Sequence, residues 1–209
     1  MGQGLREGVH TVFFGGGTPS LMPLPELRLI FDALRAAFDL TPDCEITLEA
    51  NPGTVDAAYL AGLRDLGVNR LSLGVQSAHE SELKLLDRLH TFDEAAQAVR
   101  AARAAGFENL NLDLIFGLPH QTLALWQESL ARTLDLAPDH LSAYALSLEH
   151  GTPLRAWVYR GLLPLPDPDL AAEMYEWAND ELEANGFVQY EISNWGRGWR
   201  SEVRGQKSE

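Results

Sequence analysis

The sequence predicts an α/β protein whose strands form a parallel sheet or barrel. Five apolar or β-branched segments have the length of buried strands, and segments with helical spacing separate them. Strand and helix alternate with a repeat of roughly 25 to 40 residues, which is typical of βα units. The first strand breaks abruptly into three glycines, Thr18 and Pro19, which leaves bare backbone for a polar ligand. The predicted strands are residues 11–14, 45–49, 70–75, 109–116 and 140–148.

Two helices are predicted before the third strand. The first carries an apolar stripe that would pack on the sheet, formed by Leu27, Ile30, Phe31, Leu34 and Phe38. Pro25 suits the first turn of this helix. The second helix covers residues 55–66, with Thr54 as its N-cap and Gly67 where the chain must turn left-handed.

The later helices are predicted from capping residues and apolar spacing. Thr91 and Glu94 have capping-box spacing and open an alanine-rich helix that Gly106 ends. Thr122 caps the next helix, and two others are expected at residues 79–89 and 167–185. Four aromatic residues are interpreted as packing residues, with a flat apolar site as the alternative: Trp157, Tyr159, Tyr175 and Trp177.

The composition restricts the partners and the kinds of site. A formal net charge of −14 over 209 residues would repel nucleic acid and anionic membranes, so nucleic acid is not expected as a partner. No apolar run approaches the ~20 residues of a spanning helix, and the N-terminus does not resemble a signal peptide, which predicts a cytoplasmic protein. The single cysteine, Cys44, excludes a metal site built from several thiolates of this chain, and it is interpreted as a small structural residue preceding its strand.

Three regions are expected along the chain. Residues 1–166 carry the βα units and the candidate site. Residues 167–195 hold a helix and a strand. Residues 196–209 are rich in charge and lack apolar periodicity, so they are predicted to be disordered.

Candidate site residues lie where the predicted strands end, because parallel βα proteins bind ligands at the carboxyl ends of their strands. They comprise the turn at residues 15–18, Glu49, Gln76 and Asp113. A carboxylate suits ribose hydroxyls or an ammonium group, and an amide both donates and accepts hydrogen bonds at a sugar or purine edge. The residue types therefore indicate a nucleotide-like or amino-acid-like ligand, although each residue alone is as readily a structural hydrogen-bonding group.

Two further positions are weighed on their own. Asn111 and Asp113 alternate along one strand and face the same side, where buried polar groups need a ligand or a hydrogen-bond network. A functional role is therefore favoured over a purely structural role for Asn111 and Asp113. By spacing alone, Arg88 is interpreted as a solvated charge on a helix.

Five motifs together resemble the radical S-adenosylmethionine (SAM) proteins of the oxygen-independent coproporphyrinogen III oxidase family. They are FFGGGTPS at residues 13–20, TLEANPG at 47–53, RLSLGVQS at 70–77, LDLIFGLPHQT at 112–122 and HLSAYALSLEHGTPL at 140–154. The resemblance extends over nearly all of residues 11–195, and residues 142–153 are more similar to the heme chaperone branch of the family than to the oxidase.

This resemblance implies a partial (β/α)6 TIM-like radical-SAM barrel, with SAM held at the strand ends. It also implies a [4Fe-4S] cluster, and heme or a porphyrin as the molecule handled. The motifs place Gly16, Gly17 and Thr18 at the amino-acid part of SAM. The same motifs assign Glu49, Gln76, Arg88 and Asp113 to the rest of the SAM site.

The chain also departs from the family pattern. The family's cluster cysteines form a C-x3-C-x2-C loop upstream of the glycine motif, and this sequence begins after that point. A chain truncated at both ends, lacking the first barrel strand and the cluster loop, is therefore expected. It would be part of a heme chaperone or coproporphyrinogen dehydrogenase-like protein, without redox activity or a metal ligand of its own and meeting membranes only through heme-receiving partner proteins. The alternative is a non-enzymatic nucleotide- or heme-binding module.

Overall fold

The computed structural model describes residues 8–197 and confirms the predicted α/β class. The strands are β1 (Val9–Phe14), β2 (Leu40–Ala50), β3 (Arg70–Gln76), β4 (Asn109–Phe116), β5 (His140–Ala145), β6 (Phe187–Glu191) and β7 (Asn194–Arg197). The α-helices are α1 (Leu24–Ala37), α2 (Ala57–Leu66), α3 (Glu80–Leu85), α4 (Phe92–Ala104), α5 (Leu123–Leu134), α6 (Pro153–Tyr159) and α7 (Pro168–Ala184). Short 3-10 turns cover Pro19–Leu21 and Pro52–Thr54.

The strands form one seven-stranded sheet in the order β1-β2-β3-β4-β5-β7-β6. β1 and β2 are parallel, with Phe14 opposite Leu48, and β2 and β3 are parallel, with Ala50 opposite Leu73. β7 runs antiparallel to both β5 and β6. Because β1 and β2 end at the same edge of the sheet, the glycine turn after β1 lies beside the end of β2.

The chain divides into two compact units. Residues 8–75 and 89–111 form the first unit, and residues 76–88 and 112–197 form the second. In the first unit the predicted apolar face of α2 is confirmed, since Leu60, Leu63 and Leu66 are completely buried or nearly so. Phe31 of α1 is buried and stacks on Phe14 with the ring centroids 5.0 Å apart.

The apolar stripe predicted for α1 is only partly buried. Leu27 and Phe31 are buried, whereas Ile30 is 36% exposed and Phe38 is 54% exposed and lies beyond the helix end. The prediction that the whole stripe packs on the sheet is therefore wrong for these two residues. β1 is an edge strand of the described sheet, so α1 has no further strand to cover beyond it.

The start of α2 also differs from the prediction. Asp56, not Thr54, is the N-cap, because Oδ1 of Asp56 accepts a hydrogen bond from the Tyr59 amide at 2.7 Å. Thr54 lies in the preceding 3-10 turn and donates its hydroxyl to the Asn51 carbonyl at 2.8 Å. Gly67 has the predicted left-handed backbone, with φ +100°.

The capping predictions for α4 and α5 are confirmed. Thr91 and Glu94 form a complete capping box at the start of α4. Thr122 accepts a hydrogen bond from the Leu125 amide at the start of α5. These local signals succeed because a cap involves residues within one turn of each other.

The core of the second unit is built around Trp126 of α5. Its indole Nε1 donates to the Met174 carbonyl at 3.0 Å, and its ring lies 5.2 Å from that of Phe116. Tyr175 packs on Phe116, so the packing interpretation is confirmed for this residue. Tyr159 is 72% exposed, so for this residue the packing interpretation is wrong.

The end of the described chain is more ordered than predicted. Trp195 is buried and its Nε1 donates to Oδ1 of Asn179 at 3.1 Å, while β7 pairs Trp195 with Leu141 and with Gln189. β7 therefore extends two residues into the segment predicted to be disordered, because pairing with β6 and with β5, which is distant in sequence, holds it. Residues 198–209 of that segment lie outside the described residues. β5 ends three residues earlier than predicted, at Ala145.

No helix within residues 8–197 has the length and apolar character needed to cross a bilayer.

The burial of α1 predicts the effect of two matched substitutions. Phe31→Ala should lower the free energy of unfolding by about 3–5 kcal/mol, because it removes a buried ring and leaves a cavity beside Phe14. Phe38→Ala should change it by less than about 0.5 kcal/mol, because this ring is mostly exposed. Urea unfolding followed by circular dichroism measures both. Equal losses would contradict the described packing of α1.

Candidate ligand-binding site

Three glycines follow β1, and two different reasons favour glycine at these positions. Gly16 and Gly17 have left-handed backbone, with φ of +84° and +66°. A Cβ added to either would meet no atom within 4 Å, so this part of the turn is open. A Cβ at Gly15 would lie 2.7 Å from Cε1 of Phe13, which is too close. The turn thus combines bare backbone with conformations that other residues adopt only at a cost.

The glycine turn is hydrogen-bonded to the carboxylate of Glu49 near the end of β2. The Gly16 amide donates to Oε2 of Glu49 at 3.1 Å. Glu49 is half-buried, and its second oxygen, Oε1, accepts no hydrogen bond from residues 8–197. This oxygen can accept from a hydroxyl or ammonium group of a ligand.

A second contact ties the segments after β1 and β2 together, and sequence reasoning missed it. Oγ of buried Ser20 accepts from the Asn51 amide at 3.2 Å. Because Thr54 donates its own proton to the Asn51 carbonyl, Ser20 donates to Oγ1 of Thr54. The signal available in the sequence was a small hydroxyl residue in each of the segments that follow the first two predicted strands.

Gln76 is the last residue of β3 and belongs to the second unit. Its backbone is left-handed, with φ +68°, although it is not glycine. The side chain is only 8% exposed, and its amide forms no hydrogen bond within the described part of the chain. A strained backbone at an unbonded polar residue is characteristic of functional sites.

Arg88 is not a solvated helix charge, so that interpretation is wrong. It lies after α3, beyond Asp87, whose φ is +55°. The Arg88 side chain is half-buried, and its Nε is completely buried with no hydrogen-bond partner among residues 8–197. A buried donor of this kind costs stability unless an acceptor satisfies it.

Burial along β4 agrees with the predicted alternation for Asp113 and does not distinguish Asn111 from the leucines. Leu112 and Leu114 are completely buried, and Asp113 between them is half-buried. Asn111 is buried and donates from Nδ2 to Oγ of Ser72 at 2.7 Å. This hydrogen bond to the neighbouring strand gives Asn111 a structural role.

The predicted site residues fall into two groups. Gly16 and Glu49 share a hydrogen bond in the first unit, where Thr18 is half-buried and makes no capping bond. Gln76, Arg88 and Asp113 belong to the second unit. The binding of one ligand by all of these residues stays a prediction.

Cys44 is poorly suited to metal binding or nucleophilic chemistry. It lies within β2, not before it as predicted, and is 6% exposed. Burial raises the pKa of the Cys44 thiol, and the negative charges of Asp43 and Glu45 raise it further. The reactive thiolate is therefore disfavoured. Residues 8–197 contain no group of three or more His, Cys, Asp or Glu side chains that could hold a metal ion.

Comparison with known proteins identifies the family. Residues 2–136 match the sequence profile of the radical SAM superfamily. The chain belongs to this superfamily. The matched region contains the glycine turn and every other predicted site residue, from Gly16 to Asp113.

This radical SAM chain is similar to two bacterial heme chaperones and to a mitochondrial radical SAM protein. It is 44% identical over 189 residues to the heme chaperone HemW of Synechocystis, a match covering 90% of this chain and 46% of that protein. It is 45% identical over 193 residues to HemW of Mycobacterium tuberculosis, covering 90% and 48%. Mouse mitochondrial radical S-adenosyl methionine domain-containing protein 1 is 45% identical over 189 residues, covering 90% and 43%. The chain spans about half the length of the curated relatives it matches.

A solved structure supports the same fold. Coproporphyrinogen III oxidase (HemN) from Escherichia coli, a radical SAM enzyme, superimposes with a TM-score of 0.83 and 27% sequence identity. The match covers 93% of this chain and 44% of the oxidase. The predicted partial radical-SAM barrel is thereby confirmed.

The left-handed turn predicts opposite effects for two exchanges of glycine for alanine. Gly17→Ala should lower the free energy of unfolding by about 1–2 kcal/mol, because L residues resist its φ of +66°. Gly53→Ala should leave it unchanged or raise it by about 0.4–1 kcal/mol, because Gly53 has no left-handed φ and a Cβ there meets open space. Thermal and urea unfolding measure both. Destabilisation by Gly53→Ala alone would refute the assigned turn geometry.

Proposed function

We propose that this chain is the SAM-binding part of a radical SAM protein that transfers heme. The observation that carries the proposal is the hydrogen bond between the Gly16 amide and Glu49, which joins bare backbone to a carboxylate at the end of parallel strands. Membership of the superfamily supports SAM as the ligand. The similarity to HemW and HemN supports heme or a porphyrin as the molecule handled.

The first unit binds the amino-acid part of SAM. Gly16, Gly17 and Thr18 contact it through the turn, where no Cβ blocks the approach of the ligand to Gly16 or Gly17. The open oxygen of Glu49 accepts from the SAM ammonium group, because a charge-assisted hydrogen bond is stronger than a neutral one. This assignment uses both oxygens of Glu49, one for the turn and one for the ligand.

The second unit contributes one further group for the amino-acid part of SAM and two groups for its nucleoside part. The buried Nε of Arg88 donates to the carboxylate of the methionine part, which supplies the acceptor it lacks. Asp113 accepts from ribose hydroxyls, and the amide of Gln76 donates and accepts at the sugar or purine edge. These roles follow from the chemistry of each side chain and from its burial.

The [4Fe-4S] cluster does not fit the residues of this chain. In radical SAM proteins it supplies the electron that cleaves SAM. Such a cluster is held by cysteine thiolates, and the sequence contains one cysteine, which is buried and disfavours its thiolate. No residue here is assigned to the cluster, and the chain by itself is assigned no redox activity.

The cellular setting follows from the same proposal. The protein acts in the cytoplasm without nucleic acid, and it meets membranes only through proteins that receive heme from it. The strongly acidic composition supports the exclusion of nucleic acid and of anionic lipid surfaces. The second candidate function is a non-enzymatic nucleotide- or heme-binding module, which the single cysteine favours.

Calorimetric titration with SAM tests the proposed ligand. The unmodified chain should bind SAM, and Glu49→Gln should weaken binding by about tenfold or more, because it replaces a charge-assisted acceptor for the ammonium group. Glu45→Gln is the matched control, since Glu45 lies on the same strand with similar burial and its carboxylate accepts from Thr47, away from the glycine turn. It should bind SAM like the unmodified chain. Equal weakening by both substitutions would remove Glu49 from the site.

Absorbance titration with heme separates the two candidate functions. The proposed heme-transferring protein should bind SAM and also shift the heme absorption band at a stoichiometry of one. A shift of the heme band in a chain that does not bind SAM would indicate a heme-binding module. A chain that binds SAM and leaves the heme spectrum unchanged would be a nucleotide-binding module. Binding of neither molecule would contradict both functions.

A further inference from the structure

A buried carboxylate in α3 joins two segments that follow strand ends. Glu82 is 4% exposed, which is unusual for an ionisable residue. Its Oε2 accepts hydrogen bonds from Oγ of Ser77 at 2.6 Å and from Nε2 of Gln121 at 3.1 Å. Its Oε1 is buried and has no partner within the described residues. All of these residues lie in the second unit.

Each partner of Glu82 organises the backbone of its own segment. Oγ of Ser77 accepts from the His79 amide at 2.9 Å, just after Gln76. Oε1 of Gln121 accepts from the Gly117 amide at 2.7 Å and from the Leu118 amide at 3.3 Å, in the turn after β4. Glu82 therefore connects the segment after β3 to the turn after β4.

The segment after Gln76 is held from a second direction by α5. Oγ of Ser129 accepts from the Ala78 amide at 3.2 Å, and Arg132 donates to the Ala78 carbonyl at 3.1 Å. Gln76 itself has a left-handed φ of +68°. A residue other than glycine keeps such a backbone conformation only where several surrounding contacts hold it there. The hydrogen bonds of Ser77, Ala78 and His79 provide those contacts.

We infer that Glu82 is a positioning residue for SAM, holding Gln76 in its strained conformation and linking it to the turn after β4. This inference rests on the proposed function. Packing of α3 does not require a carboxylate, since Leu83 of the same helix is 2% exposed and an apolar residue avoids the cost of burying charge. The polar bonds of Glu82 fix orientation, which an apolar side chain of the same size cannot do.

Three variants test the role of Glu82 in binding. Glu82→Ala should weaken SAM binding by about tenfold in calorimetric titration, because Gln76 loses its support. Glu82→Gln should stay within about threefold of the unmodified chain, because the amide oxygen still accepts from Ser77 and Gln121. Leu83→Ala is the matched control in the same helix. It should lower the unfolding midpoint and leave the affinity of the folded chain within about threefold.

Amide hydrogen exchange measured by NMR gives a readout that does not depend on SAM. The Gly117 and Leu118 amides should exchange faster in Glu82→Ala, although they lie more than thirty positions away in the sequence, and not in Leu83→Ala. Unchanged exchange at Gly117 in Glu82→Ala, or equal losses of affinity in both alanine variants, would overturn the inference. If the unmodified chain fails to bind SAM, the proposed function fails, and the exchange rates still decide whether Glu82 connects the two segments.

Discussion

The parallel register of β1 and β2 is the constraint on which the candidate site depends. With Phe14 opposite Leu48, the glycine turn and Glu49 meet at one edge of the sheet. The hydrogen bond from the Gly16 amide to Glu49 is possible only in this register. Because side chains alternate along a strand, a shift of one residue would turn Glu49 to the opposite face. The same shift would move the buried side chains of Ile46 and Leu48 to the opposite face of β2, so their burial opposes it.

Left-handed backbone occurs at two strand ends that carry candidate site residues, after β1 and at the end of β3. Gly16 and Gly17 avoid the cost of left-handed backbone because they lack a Cβ. Gln76 bears that cost, and the hydrogen bonds after it hold the segment in place. Ser20 serves a similar purpose for the first unit by joining Asn51 and Thr54. Rigid strand ends of this kind reduce the ordering required when a ligand binds.

The polar groups of the candidate site are a carboxylate and a guanidinium, which are not the thiolate ligands of an iron–sulfur cluster. Glu49 offers an unused acceptor and Arg88 an unused buried donor, which match the opposite charges of an amino acid. Cys44, in contrast, is buried within β2, and burial raises the pKa of its thiol.

The sequence by itself determined the α/β class, the carboxyl ends of β1 to β4 to within about one residue, the caps of α4 and α5, and the motifs that carry Gly16, Glu49, Gln76 and Asp113. These features depend on periodicity or on residues within a few positions of one another, so they are visible in the linear chain. Only the tertiary structure decided that Phe31 is buried and Phe38 exposed, that Trp195 belongs to a strand, that Arg88 has a buried donor, and that Glu82 joins Ser77 to Gln121. Each of these outcomes depends on contacts between different segments of the folded chain. Local sequence patterns do not show which segments come into contact.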